Sequence, residues 1–306
     1  MQKNANHTSY SSLVTIGDSF TEGMSDLLPD GSYRGWADVL AGRMAEHAPG
    51  FRYANLAVRG KLIGQIVDEQ VDAAAAMGAD VITLVGGLND TLRPKVDMGR
   101  VRGLLEEAVE KLAPACERLV LMRSPGRNGP VMERFRPRME ELFACIDELA
   151  ARHGAVVVDL YGAPVLGDPR LWDVDRLHLT AEGHRRVAEA VWQALGHDPE
   201  DDWQAMLPPT VPPNWAARRA ADARFARRHL VPWIGRRLTG RSSGDGRTGA
   251  QFSAELGKAF WVTPEDHTNP GPVTDWRRVG PQSVEDADKR HSIADVYRAD
   301  TSSGQD

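Results

Sequence analysis

Cysteine is scarce in this chain of 306 residues, which holds only Cys116 and Cys145. They lie in or beside separate candidate elements with no metal-ligand spacing, so neither a disulfide framework nor a zinc site is suggested and two reduced thiols are expected. Long apolar runs are missing too. No stretch approaches the ~20 residues that a membrane-spanning helix needs, and Met1 to Ser12 are polar, without the apolar core of a signal peptide, so a cytoplasmic location is expected. No Gly-Lys-Ser/Thr ending and no Gly-x-Gly-x-x-Gly follows any candidate strand, which argues against a nucleotide-binding loop.

A large excess of charge of one sign is also lacking, with a formal net of -6. Its distribution is uneven: between Asn214 and Arg241 eight Arg face one Asp, a local +7 that leaves -13 for the rest. What remains, 42% hydrophobic and 26% charged residues, is ordinary for a globular protein with a sizeable core.

Five short apolar runs punctuate the first two-thirds of the chain: Leu13 to Ile16, Phe51 to Leu56, Val81 to Val85, Leu119 to Met122 and Ala155 to Leu160. They are rich in β-branched residues and lack polar alternation, the pattern of strands buried on both faces. Helix-like segments separate them: about Tyr33 to His47, Leu62 to Met77, Met98 to Leu112, Val131 to Arg152 and, after the last strand, Ala181 to Leu195 with Thr180 as its cap. Strict β-α alternation predicts an α/β fold: a three-layer α/β/α sandwich around a five-stranded parallel, flavodoxin-like sheet joined by right-handed crossovers.

Chemistry-bearing residues gather where these strands end, which is where open parallel sheets bind ligands. The first strand runs into Gly17-Asp18-Ser19, the second leads to Gly60, the third into Gly86-Gly87-Leu88-Asn89-Asp90, and Asp175-Arg176-Leu177-His178 follows the fifth. Any one of these could be a turn or a helix cap. Together and in this order, over roughly residues 10 to 196, they resemble the SGNH (GDSL-type) hydrolase family, whose four blocks carry Ser, Gly, Asn and His and whose last block reads Asp-x-x-His. The elbow of α/β-hydrolases is a different motif and is absent, because position 21 is Thr where Gly-x-Ser-x-Gly needs glycine.

The resemblance implies a serine ester hydrolase. A serine hydroxyl needs a base to take its proton as it attacks a carbonyl, and imidazole, with an ordinary pKa of about 6.5, suits the task. Ser19 is then the nucleophile, His178 the base and Asp175, three residues before it, the group that fixes the imidazole tautomer. The oxyanion hole falls to Ser19 N–H, Gly60 N–H and the Asn89 amide. His184 and Asp173 compete for the acid–base roles, but His184 falls within the last helix and reads as structural, while the Asp-x-x-His spacing favours Asp175. Trp172 is the expected wall of the substrate pocket, short loops favour small acyl groups, and neither cofactor nor metal is required. Acyl transfer from the same acyl-enzyme, and a flavodoxin-like module that binds a ligand without turnover, are the alternatives.

These features divide the chain into a catalytic domain at 1–200, a Pro- and Arg-rich extension at 201–241 and an expected disordered tail at 242–306. The extension should hold a short helix from Trp215 to Leu230, packed through Trp215, Phe225 or Trp233. Its arginines scatter around the helical wheel, so a small-molecule ester rather than nucleic acid is the expected partner.

Overall fold

A computed structural model describes residues 9–27, 33–48, 50–126, 130–211 and 214–230. The expected tail, and Trp233 of the extension, lie outside them. All five strands form as anticipated: β1 (Ser12–Gly17), β2 (Arg52–Asn55), β3 (Val81–Val85), β4 (Arg118–Arg123) and β5 (Val156–Asp159). They make one parallel sheet in the order β2-β1-β3-β4-β5, with Leu13 level with Tyr53 on one side and Val81 on the other. β1 and β3 are buried along their whole length, which explains their unbroken apolar sequences.

Helix α1 is a single turn (Ser19–Glu22), α2 spans Trp36–His47, α3 (Ile63–Ile66) passes through a π turn (Val67–Val71) into α4 (Asp72–Met77), and α5 is another single turn (Leu88–Thr91). After them come α6 (Met98–Leu112), α7 (Pro130–Glu133), α8 (Arg136–His153), α9 (Ala181–Ala194) and α10 (Trp215–Phe225). α2 packs on α9 over one face of the sheet, and the α3–α4 stretch, α6 and α8 cover the other. The chain leaves β1 toward β2 and returns across it to reach β3. The strand order therefore reverses between β1 and β3, and a crevice opens at their carboxyl ends.

Two helices begin later than the sequence alone suggests, each for a local reason. Gly35 rather than Tyr33 ends the extended chain before α2, because the Asp38 carboxylate accepts from the Gly35 N–H at 2.7 Å. The stretch expected as one helix from Val131 to Arg152 is two, since Pro137 lies in the first turn of α8, where a missing N–H costs nothing.

Candidate active site

Gly17 is the last residue of β1, and its φ of 152° together with its neighbours requires glycine: a Cβ there would lie 2.4 Å from the Val85 carbonyl oxygen. Asp18 then caps α1, its Oδ1 accepting from Phe20 N–H at 3.1 Å. Ser19 opens that turn and is partly exposed. Gly23 ends it at a φ of 93° and touches Gly35, whose Cβ, if present, would lie 2.4 Å from Gly23 Cα. The chain from Gly23 to Gly35 thus leaves and returns at one point. The Leu27–Tyr33 bridge and the Asp26–Arg34 ion pair at 3.2 Å tie its two limbs together.

Side chains from distant elements hold this turn. Gln70, fully buried in the π turn, accepts from Gly17 N–H at 2.8 Å and donates to Gly17 O at 3.0 Å, extending the ladder on the side where β2 has ended. Asn55, at the end of β2, donates to Thr21 O at 2.8 Å. Glu22, 1% exposed, accepts from Arg59 N–H at 2.6 Å and pairs with the Arg59 guanidinium, joining α1 to the residue before Gly60. Gly60 itself has a φ of 75°, the left-handed region, within a turn closed by Lys61 N–H on Val58 O.

Asn89, in α5, brings these segments together. Its Nδ2 donates to Asp18 Oδ2 at 2.9 Å and to Lys61 O at 3.2 Å, so it stands between the residues flanking Ser19 and Gly60. The neighbouring Asp90 is buried and accepts from Ile63 N–H at 3.0 Å at the start of α3. Burial pushes the Asp18 carboxyl up, to about 6; Asp90 and Glu22 add to the rise, while Phe20 N–H and the charge of His178 oppose it.

Asp175 and His178 share a loop between Trp172 and Leu179, which pair as an isolated bridge. Asp173 N–H donates to His178 O at 2.9 Å and Arg176 N–H to Asp173 O at 2.8 Å. Within this loop His178 Nδ1 lies 2.6 Å from Asp175 Oδ2, and Asp175 Oδ1 accepts from the N–H groups of Leu177 and His178. Burial pushes the Asp175 carboxyl up, but the hydrogen bond and charge of His178 and those two N–H groups outweigh it and hold the carboxyl below its usual value. Asp173 enters through its backbone, and among the described residues no hydrogen bond joins Ser19 Oγ to His178.

His184 is 1% exposed, takes Trp36 N–H on Nδ1 at 3.2 Å and lies 3.1 Å from Met24 O through Nε2. It is structural, joining α9 to the start of α2. Trp172 is partly buried beside the Asp175–His178 loop, its indole N–H donating to Leu166 O at 2.8 Å. Sequence reasoning missed Gln70, Asn55, Glu22 and Arg59. The apolar positions of α3 and α4 mark a buried face, but no local pattern assigns Gln70 to it.

A parallel sheet with a serine turn at its switch point and an Asp–His loop beside it is the frame of an ester-hydrolysing enzyme. The sequence matches the model of the GDSL-like Lipase/Acylhydrolase family over residues 15–186, and the chain belongs to that family. LAE5, an alpha/beta hydrolase enzyme from the metagenome of Lake Arreo, is 23% identical, with a TM-score of 0.50 over 61% of this chain and 95% of that one. Axe2, an acetylxylan esterase from Geobacillus stearothermophilus, is 20% identical, with a TM-score of 0.53 over 63% of this chain and 97% of its own. These likenesses establish the fold. Among curated proteins none matches the sequence.

Proposed function

We propose that the chain hydrolyses small carboxylic esters through an acyl-enzyme on Ser19. The observation that carries this reading is the Asp175–His178 pair, 2.6 Å apart, with Asn89 held between Asp18, the residue before Ser19, and Lys61, the residue after Gly60. Asp175 accepts the Nδ1 proton and leaves Nε2 as the basic nitrogen. As Ser19 Oγ bonds to the ester carbon, its proton passes to Nε2 and the carbonyl oxygen becomes an oxyanion. Collapse breaks the bond to the alcohol, which leaves with that proton. A water then gives a proton to Nε2 as it attacks the acyl carbon, and collapse breaks the acyl–Oγ bond, the proton passing from Nε2 to Ser19 Oγ as the acid leaves. The missing Ser19–His178 hydrogen bond is compatible with this scheme, since such bonds are often long before substrate binds.

The oxyanion donors are Ser19 N–H, Gly60 N–H and Asn89 Nδ2, each worth about 3 to 4 kcal/mol in comparable hydrolases. The clasp of Asn89 between Asp18 and Lys61 O supports its place, and the incoming oxyanion competes there with the longer bond, at 3.2 Å. Trp172 walls the pocket, and the acyl group is small. For Axe2, variants in which a serine, an aspartate or a histidine three residues beyond that aspartate is replaced by alanine are described as catalytic mutants, the same residue types and Asp–His spacing as here. Hydrolysis of p-nitrophenyl acetate and butyrate, in parallel with Ser19→Ala, tests the reading. Acetate turnover that disappears in the variant is expected; turnover that survives in it removes Ser19 from the reaction.

A further inference from the structure

Two of the proposed oxyanion donors are backbone groups, Ser19 N–H and Gly60 N–H, and they follow neighbouring strands. The sheet does not itself hold them. Backbone bonds continue from β2 onto β1 through Leu56 N–H on Thr15 O at 2.9 Å and Val58 N–H on Gly17 O at 3.2 Å. Past that rung one chain enters α1 and the other enters the Gly60 turn. The next residue is joined across by a side chain instead: Arg59 N–H donates to Glu22 Oε2 at 2.6 Å.

That contact is doubled. While Oε2 holds the backbone N–H, Glu22 Oε1 accepts from Arg59 Nε at 2.7 Å and from a terminal nitrogen of the same guanidinium, so one carboxylate grips Arg59 by main chain and side chain together. A residue held at both ends has its backbone fixed, and the peptide group that follows Arg59 carries the Gly60 N–H. On the other side Glu22 belongs to the turn that Ser19 opens, with Glu22 N–H on Asp18 O at 2.9 Å and Gly23 N–H on Ser19 O at 3.3 Å. The pair thus stands one helical turn from one donor and one peptide from the other.

Its burial points to a role beyond cohesion. The Glu22 side chain is 1% exposed and that of Arg59 18%, with the Tyr33 ring centre 5.0 Å from the guanidinium carbon. Taking two charges out of water is unfavourable, and apolar side chains of similar volume often stabilise such a position at least as well. What they do not supply is direction, because a carboxylate meets a guanidinium fork in one geometry. Lys61, on the other side of Gly60, is 5% exposed and pairs with Glu69 of the π turn at 2.6 Å. The glycine is therefore bracketed by two ion pairs, and the one through Arg59 runs to the serine turn. Donors that meet a developing oxyanion act best when they do not reorganise, which is what such a bracket provides.

We infer that Glu22 and Arg59 are positioning residues for the reaction, holding the Ser19 and Gly60 N–H groups at the separation an oxyanion requires. The inference rests on the esterase reading, and its test separates the two. Turnover of p-nitrophenyl acetate and inhibition by phenylboronic acid are measured for the full chain, Ser19→Ala, Glu22→Gln, Arg59→Met and the Glu22→Gln/Arg59→Met double variant. In the inhibited enzyme Ser19 Oγ bonds to boron and its proton passes to His178 Nε2, leaving a tetrahedral boronate anion. Each single variant should lower kcat about 10- to 100-fold, less than the roughly 100- to 1,000-fold of a lost donor. KM should change by less than about threefold, and boronate affinity should fall with kcat. The double variant should lose no more than the worse single one, since both remove the same contact. It leaves no buried charge unpaired, so it decides the matter if a single variant does not fold. A folded double variant with kcat and boronate affinity within about threefold of wild type overturns the inference, while an inactive Ser19→Ala upholds the esterase reading. A rise in KM alone, or a fall in kcat with boronate affinity intact, overturns it too. Absent turnover in the wild type, or turnover that survives in Ser19→Ala, removes the esterase reading and this inference with it.

Discussion

The turn that carries Ser19 is held from outside, by Gln70 on Gly17, Asn55 on Thr21, Arg59 on Glu22 and Asn89 on Asp18. Each partner is far away in sequence, and Gln70 and Asn55 are fully buried or nearly so. The loop that carries His178 is held mostly from within, by contacts among Trp172, Asp173, Asp175, Leu177 and Leu179, and it is partly exposed. It is attached to the extension through Arg176. Charge that develops at a fixed point is best met by groups that need not reorganise, whereas a base that takes and returns a proton at two successive steps can tolerate adjustment. The contrast separates a rigid floor from an adjustable wall.

The largest expected effect falls on the wall. His178→Ala should lower kcat for p-nitrophenyl acetate by at least about 10⁴-fold with little change in unfolding midpoint, because the loop keeps its backbone contacts; a loss below tenfold would take His178 out of the proton transfer. On the floor, Asp18 makes stability depend on pH. Its carboxyl is raised from 3.8 to about 6 in the folded chain, so its contribution is fully present below pH 3.8 and is lost as pH rises through about 6. The loss should approach about 3 kcal/mol. Thermal melts from pH 4 to 8 should show wild type losing ground against Asp18→Asn across that window; a pH-independent difference would mean that Asp18 is not desolvated.

Gln70→Leu keeps the volume and removes the amide, leaving the buried Gly17 N–H without a partner while Val58 N–H still serves Gly17 O. Denaturant unfolding should show a loss of about 1 to 3 kcal/mol, and kcat should fall more than KM rises as the serine turn loosens. Unchanged kcat in a destabilised variant would mean that the other clasps suffice to place Ser19. Asp222→Ala should matter least: its pair with Arg176 is about half exposed, worth under about 1 kcal/mol, and kcat should change by less than about threefold. A tenfold fall would show that the extension helps to hold the wall.

The elements that bury themselves were the most legible in the sequence. The β-branched runs of β1 and β3 and the amphipathic pattern of α6 depend on neighbours close in sequence, and each strand lies within a residue or two of its expected span. That Ser19, Gly60 and Asn89 follow β1, β2 and β3 was legible for the same reason, and the Asp-x-x-His spacing announced the Asp175–His178 hydrogen bond. Gln70 and Glu22 were not, because their partners are backbone groups brought near only by the completed sheet. The π turn is equally silent in the sequence, since a one-residue widening leaves the apolar spacing of Ile63, Ile66, Val67 and Val71 helix-like. Of the three aromatic residues expected to pack the extension, Phe225 meets Arg176, Trp215 is exposed, and Trp233 lies outside the described residues.

The meeting of Gly23 with Gly35 works as a drawstring. Two residues without side chains let the backbone meet itself beside the Ser19 turn, and the described limbs between them are joined there, at the Leu27–Tyr33 bridge and, through Met24 O, to His184. Lengthening a loop whose ends are already joined costs little, about 0.6 kcal/mol for a doubling. A change of length between Leu27 and Tyr33 therefore need not disturb the turn that holds Ser19, so this loop and that turn can evolve on separate clocks.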